Sequence, residues 1–191
     1  AATAPGEIVV NGMSMSRRDS PFANSGVVTS IEAEDLADWQ QHGPFAALEF
    51  QREVEQRLFR AGDGSQKGPA LRLTDFIAGK MSGSLPGTSY IPGFYPAPLS
   101  DLLPAPIYRR LRDGLSQFGK QMRGYYTQEA TVVATESRTS APVRIPRDAE
   151  TLMHPEIKGL FPCGEGAGYA GGIISAAMDG QNVARAVVRG I

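Results

Sequence analysis

Apolar residues recur at helical spacing in two segments of the chain. The clearer one spans residues 107–118, with Ile107, Leu111, Leu115 and Phe118 on one face, and it predicts a helix that ends at Gly119. Another helix is predicted to begin at Gly43-Pro44, because proline is tolerated in a first turn, and to end at Ala61-Gly62. Its predicted apolar face holds Phe45, Leu48, Leu58 and Phe59. The charged side chains predicted to face water are Glu49, Arg52, Glu53, Glu55 and Arg57.

Short runs of β-prone residues predict strands in the first and last parts of the chain. Residues 8–10, 26–31 and 130–135 have this composition, and residues 143–145 and 160–163 are two further candidates. The polar loop between the first two strands is either functional or a surface excursion.

The middle of the chain is dominated by proline and glycine. Residues 79–106 contain six prolines, so neither a long helix nor a central strand is expected there. Tyr90, Phe94 and Tyr95 lie in this stretch, where they either line a substrate pocket or cover the core of a small domain.

Charge and cysteine content exclude several classes of function. The 19 basic and 20 acidic residues give a formal net charge of −1, which argues against a nucleic-acid binder. No apolar run is long enough for a membrane helix, and no Cys or His spacing matches a metal site. Cys163, the single cysteine, is expected to be a buried apolar residue, and a cytoplasmic location is predicted. The absence of an initiator methionine suggests a chain that is either processed or cut from a longer protein.

A glycine cluster near the end of the chain carries the strongest signal of chemistry. Gly166, Gly168 and Gly171 satisfy G-x-G-x-x-G between a predicted strand and a predicted helix over residues 173–188. Glycines let a backbone approach an anion closely, and a helix N-terminus presents free amides. Only 20 residues follow Gly171, too few for the rest of a first βαβ unit. The cluster therefore closes a nucleotide-binding fold, or else it is a turn that only allows tight helix packing.

Residues 159–172 resemble the C-terminal FAD motif of flavoproteins with two dinucleotide folds. More narrowly, the chain resembles the NAD(FAD)-utilizing dehydrogenases related to the BaiN-like and aminoacetone-oxidase-like flavoproteins. Residues 11–25, 136–145 and 176–180 contribute to this resemblance, which covers nearly the whole chain.

The resemblance implies FAD as cofactor, with NAD(P) as an electron donor, and assigns no catalytic residue and no metal. The backbone amides after Gly166 would face N1 and the C2 carbonyl of the flavin, and Glu165 the ribityl or pyrophosphate group. Tyr169 covers the flavin or packs internally. Ser137 and Arg138 contact the flavin edge or substrate, or are structural, and Arg144 lies near the ring or pairs with a carboxylate. The implied cofactor-binding residues are Gly164, Glu165, Gly166, Ala167, Gly168, Tyr169, Ala170, Gly171, Gly172, Ile173, Ser137 and Arg138.

The predicted fold class is α+β. Residues 28–127 are expected to form an inserted mixed α/β substrate (cap) domain, which residues 1–27 join to the FAD domain. Residues 128–191 are expected to supply the terminal strand and helix of that Rossmann-like FAD-binding domain. The expected partners are a small-molecule substrate and an N-terminal FAD-binding segment outside this chain, with neither nucleic acid nor membrane.

The function implied is hydride transfer through FAD by the C-terminal portion of an oxidoreductase or dehydrogenase of unknown substrate. The resemblance also implies that the chain alone is inactive, because the adenine and pyrophosphate half of the site lies elsewhere. The alternative is a non-catalytic module derived from a flavoprotein that binds a ligand or partner. A self-contained nucleotide-binding domain is disfavoured, because no strand follows the glycine loop.

Overall fold

The computed structural model describes residues 4–12, 17–137 and 140–190, and the fold is α+β. Two compact units divide the chain. Unit 1 comprises Ala1–Asp38 and Phe50–Ser137, and unit 2 comprises Trp39–Glu49 and Arg138–Ile191. The elements in chain order are a 3₁₀-helical segment Ala33–Phe45, α1 Ala46–Arg60, β1 Gly68–Arg72, α2 Leu73–Ala78, β2 Phe94–Pro96, α3 Leu99–Leu102, α4 Ala105–Gln121, β3 Thr131–Val133 and α5 Ile173–Gly190.

A three-stranded mixed sheet with the order β2-β1-β3 lies at the centre of unit 1. β1 pairs in parallel with β2, with Gly68 opposite Phe94, and antiparallel with β3, with Ala70 opposite Val133. A Cβ atom on Gly68 would lie 2.6 Å from Cγ2 of Val133, so only glycine lets the strands approach this closely.

Proline occupies the second position of the central strand, β1. Pro69 is fully buried, and its carbonyl oxygen accepts a hydrogen bond of 3.1 Å from the amide of Ala134. In an antiparallel pair of this kind both polar groups of a residue face the same partner strand. Proline has no N–H, so β1 gives up one ladder bond toward β3 at this position.

Helix α1 contributes an apolar stripe to the core of unit 1. Phe50, Val54 and Leu58 recur every four residues and are buried. The predicted face was wrong in two respects: Phe45 is exposed and lies outside the helix, and Glu55, expected in water, is 0% exposed. The helix begins at Ala46, and its inward face is centred on Phe50 and Val54 instead of on Phe45 and Leu48.

Helix α4 confirms the prediction for residues 107–118 and extends it at both ends. Tyr108 and Leu115 are its buried residues, and the Tyr108 hydroxyl donates to the Phe76 carbonyl oxygen of α2 at 2.8 Å. Gly119 does not end the helix, contrary to prediction, but lies inside it. A Cβ atom on Gly119 would lie 2.9 Å from Cβ of Tyr126, so the glycine makes room for the chain that returns past the helix.

The strand predicted over residues 130–135 is confirmed as β3, whereas the other four predicted strands do not form. Residues 8–10, 26–31, 143–145 and 160–163 lie in no strand of the described chain. Residues 8–10 are nevertheless buried, and the Val10 amide donates to the Thr135 carbonyl oxygen at 2.8 Å. Their β-prone composition reflects burial beside β3, since β propensity measures packing rather than pairing.

Before α4 begins at Ala105, the proline-rich stretch contains only short elements, as expected: edge strand β2 and the single-turn helix α3. Tyr90 and Phe94 stack with ring centroids 5.4 Å apart, and the Tyr90 hydroxyl donates to the Gln66 carbonyl oxygen at 3.0 Å. These contacts favour the covering role for the aromatics. None of the helices in the described ranges is long and apolar enough to cross a bilayer.

Candidate functional site

The glycine cluster forms an irregular turn in unit 2, directly before α5. The Gly168 amide donates to the Glu165 carbonyl oxygen at 2.9 Å, and the Tyr169 amide donates to that of Gly164 at 3.0 Å. Gly164 has φ of 71° and Gly168 has φ of 81°, in the left-handed region that favours glycine. A Cβ atom on Gly168 would also lie 2.7 Å from the Val143 carbonyl oxygen. The fold of the turn itself requires glycine at these two positions.

Two other glycines of the turn have no such requirement. Gly166 and Gly171 lack a left-handed φ, and no described protein atom lies within 4 Å of a Cβ atom built on either. Both residues are exposed. The backbone at Gly166 and Gly171 is therefore open to close approach by a group from outside the described protein.

An ion pair between Arg147 and Asp179 stabilises the start of the turn. Nη1 and Nη2 of Arg147 donate to the two carboxylate oxygens of Asp179, at 3.0 and 2.7 Å. Asp179 also accepts from the Gly164 amide at 2.8 Å, and Arg147 donates to the Pro162 carbonyl oxygen at 2.9 Å. The two side chains are only 11% and 13% exposed. Because Asp179 lies in α5, the pair ties the helix to the first residue of the turn.

Tyr169 lies against two arginines. The guanidinium carbons of Arg147 and Arg144 lie 3.6 and 4.4 Å from the centroid of its ring, which is cation–π geometry. The Tyr169 hydroxyl donates to the Ile145 carbonyl oxygen at 2.9 Å. Tyr169 was expected either to cover the flavin or to pack internally, and these contacts favour internal packing. In the described chain Arg144 contacts the ring of Tyr169 instead of a carboxylate.

The ion pair shifts the pKa values of both partners. The hydrogen bonds from Arg147 lower the pKa of Asp179 below its ordinary 3.8, against a smaller opposing effect of burial. The same contact raises the pKa of Arg147. Both groups are therefore charged at neutral pH, and the turn rests on a fixed pair of charges.

Acid is expected to weaken unit 2 through Asp179. Its pKa is lower in the folded than in the unfolded chain, so unfolding takes up a proton between the two values. The ion pair contributes its full stability above about pH 5, and this contribution falls as the pH drops through 3.8 toward the folded value. The Asp179→Asn variant should show a shallower decline of Tm between about pH 6 and pH 3. An identical decline in both proteins would contradict this.

The residues predicted to bind the cofactor are divided between the two units. All members of the cluster from Gly164 to Ile173 lie in unit 2, and Glu165 is exposed. Ser137 lies in unit 1, where it is half-buried, and Arg138 lies outside the described residues. Cys163 was expected to be buried but is exposed, because residues 160–163 form no strand that would enclose it.

Sequence reasoning missed Arg147 and Asp179, the two side chains that brace the turn. They are 32 positions apart, so no local spacing reveals their contact. The one available signal was that Asp179 lies in the segment 176–180 that contributes to the resemblance. Among the described residues, no group of three His, Cys, Asp or Glu side chains is arranged to hold a metal ion.

Comparison with known proteins places the chain in a family through its first 139 residues. Residues 1–139 match the family described as FAD-dependent protein, C-terminal domain-like. An uncharacterized protein of Clostridium beijerinckii is 40% identical over 190 residues, covering 98% of this chain and 35% of the relative. The chain thus spans about a third of the length of that curated relative. It belongs to the family of FAD-dependent proteins that share this C-terminal domain.

Proposed function

We propose that the chain is the C-terminal part of an FAD-dependent oxidoreductase and that its glycine turn contacts the cofactor. The observation that carries the proposal is the pair Gly166 and Gly171, where neither backbone conformation nor internal packing requires glycine. A ligand that approaches the backbone closely would require glycine at both positions. The turn also leads directly into the N-terminus of α5, where backbone amides are free to bind an anion. Family membership supports a flavin as that ligand.

The exposed start of α5 supports a role within a larger flavoprotein. Ile173 and Ile174 are 89% and 72% exposed, and Met178 is also exposed. Apolar side chains in such a group are typical of an interaction surface. We assign this surface to an N-terminal FAD-binding segment outside this chain, in agreement with the greater length of the relative.

Each part of the site has a distinct role in this proposal. FAD, when bound, supplies the ring that accepts or delivers hydride. The amides of the turn and of the first turn of α5 would place positive potential beside the flavin. Negative charge develops on the flavin when it is reduced, and these amides would stabilise it. Asp179, paired with Arg147, accepts from the Gly164 amide and so holds the start of the turn against α5. The narrower BaiN-like and aminoacetone-oxidase-like affiliation, an NAD(P) donor and a cytoplasmic location stay predictions from the sequence.

The visible absorption spectrum tests the proposal. The chain and the product of the complete gene are each purified, incubated with FAD and freed of excess cofactor. We expect a flavin spectrum from the complete product and none, or a weak one, from the chain alone. A complete product that stays colourless would overturn the proposal and favour the non-catalytic module.

Gly171→Ala separates a ligand role from a structural one. Because a Cβ atom there meets no described protein atom, we expect the free energy of unfolding to change by less than about 0.5 kcal/mol. FAD affinity of the complete gene product should fall about tenfold or more, since the methyl group occupies the space of the ligand. Fluorescence titration with FAD and thermal unfolding measure the two quantities.

Gly180→Ala is the matched control for that variant. Gly180 lies inside α5, where a Cβ atom also meets no described atom. Alanine there should raise stability by about 0.5–1 kcal/mol through helix propensity and leave FAD affinity unchanged. Equal affinities for the wild type and Gly171→Ala would remove the turn from the cofactor site.

A further inference from the structure

Two arginines of unit 2 lie against the same aromatic ring. The guanidinium carbons of Arg147 and Arg144 lie 3.6 and 4.4 Å from the centroid of the Tyr169 ring. Arginine side chains carry a positive charge in proteins, so the two groups repel each other across this short distance. The ring offsets part of that repulsion, because its face attracts cations. A negative charge beside each guanidinium would offset the rest.

Only Arg147 has such a partner among the described residues. Asp179 binds it through both carboxylate oxygens and also accepts from the Gly164 amide, so neither oxygen is free for a second arginine. Arg144 is exposed and forms no hydrogen bond or ion pair within the part of the chain that the structure describes. Glu165 of the glycine turn is also exposed and does not pair with it in that part. The charge of Arg144 is therefore not compensated by any described side chain.

The backbone holds Arg144 beside the glycine turn. The Ile145 amide donates to the Ala167 carbonyl oxygen at 3.1 Å, and the Tyr169 hydroxyl donates to the Ile145 carbonyl oxygen at 2.9 Å. A Cβ atom on Gly168 would lie 3.1 Å from both Cα and Cβ of Arg144. Stacking on the ring restricts the guanidinium further, so less side-chain freedom is lost when it binds a ligand. Arg144 thus presents free N–H donors from a restrained position.

We infer that Arg144, stacked on Tyr169, forms a binding site for an oxyanion, a phosphate or a carboxylate, at the surface of unit 2. The planar guanidinium donates two parallel N–H bonds to such a group, and the anion supplies the negative charge that Arg144 lacks. Two sources of the anion agree with the proposed function, namely the pyrophosphate of FAD and a carboxylate of the substrate. The site rests on the contacts of Arg144 alone, and only the assignment of its source rests on the proposed function.

Isothermal titration calorimetry of the complete gene product, freed of flavin, tests the inference with inorganic pyrophosphate and with succinate as probes. We expect at least one of these anions to bind and Arg144→Gln to weaken its binding about tenfold, the value of one charge-assisted hydrogen bond. Arg144→Lys should recover only part of the affinity, because lysine keeps the charge but not the planar pair of donors.

The FAD-loaded protein distinguishes the two sources. If a phosphate of FAD occupies the site, loading with FAD should abolish the Arg144-dependent binding of both probes. If the site serves a carboxylate of the substrate, succinate should still bind to the FAD-loaded protein, and Arg144→Gln should weaken it to the same extent as before. Both results support an oxyanion site and assign its ligand.

Thermal unfolding separates anion binding from a purely structural role. Without an anion, Arg144→Gln loses a cation–π contact but also relieves the repulsion from Arg147, so Tm should change little. Pyrophosphate should raise the Tm of the wild type more than that of the variant, because only a ligand bound to the folded state stabilises it. A Tm lowered equally with and without pyrophosphate would assign Arg144 to packing and overturn the inference.

Arg185→Gln is the matched control. Arg185 is an exposed residue of α5 that contacts the side chain of Asn182, so its replacement removes the same charge elsewhere in unit 2 and should leave anion affinity unchanged. A wild type that binds neither probe, an unaltered Arg144→Gln, or an equal loss in Arg185→Gln would each overturn the inference. None of these results depends on bound flavin. A colourless protein that binds pyrophosphate through Arg144 would therefore overturn the proposed function alone.

Discussion

Replacement of Asp179 by alanine should lower the free energy of unfolding of unit 2 by about 2–4 kcal/mol. The variant leaves the largely buried guanidinium of Arg147 without its carboxylate, and it removes the acceptor of the Gly164 amide. Breaking one side of a buried pair has a larger effect than the net value of the pair, because the remaining charge stays desolvated. Urea unfolding followed by far-UV circular dichroism measures the loss.

Asp113→Ala provides the matched control for Asp179. Asp113 pairs with Arg112 on the surface of α4, where both side chains are well exposed. Its loss should change the free energy of unfolding by no more than about 1 kcal/mol. If both alanine variants lost the same small amount, the ion pair would not be the brace of the turn. The double variant Arg147→Met, Asp179→Leu should lose less than the two single changes together.

Gly168→Ala should be the most damaging glycine substitution in the turn. The left-handed φ costs an alanine about 1–2 kcal/mol, and the new Cβ atom would overlap the Val143 carbonyl oxygen at 2.7 Å. Backbone on both sides would have to move, so we expect a total loss of about 2–4 kcal/mol. Thermal unfolding of the variant beside Gly171→Ala checks this. Comparable Tm values for the two would show that the turn does not depend on the conformation at Gly168.

The two longest helices, α4 and α5, were the part of the fold that the sequence predicted well. Residues 107–118 and 173–188 lie within α4 and α5, since a long amphipathic or small-residue segment has a distinctive period. β1 could not be predicted, because its first two residues, Gly68 and Pro69, are both unfavourable in a strand. Its stability comes from pairing on both sides with β2 and β3, and such distant contacts leave no local pattern.

The sequence predicted where the candidate site lies, but not which of its residues the fold itself requires. Spacing and resemblance indicated the glycine turn and its position before α5, yet they did not distinguish Gly168, which the fold requires, from Gly171, which it does not. That difference depends on φ and on a neighbour, Val143, distant in sequence. The burial of Glu55 was missed for the same reason, because a single charged residue on a helix is ordinarily solvated.

Pro69 has a consequence for synthesis on the ribosome. Translation proceeds from the N-terminus, so β1 and β2 have emerged long before residue 133 completes β3. During that interval the side of β1 that later faces β3 is an open strand edge, which other nascent or unfolded chains can pair with. Pro69 withholds an N–H donor on that side. The donor missing from the finished sheet is thus also missing from this open edge, which offers an incoming strand one hydrogen bond fewer while β3 is still absent.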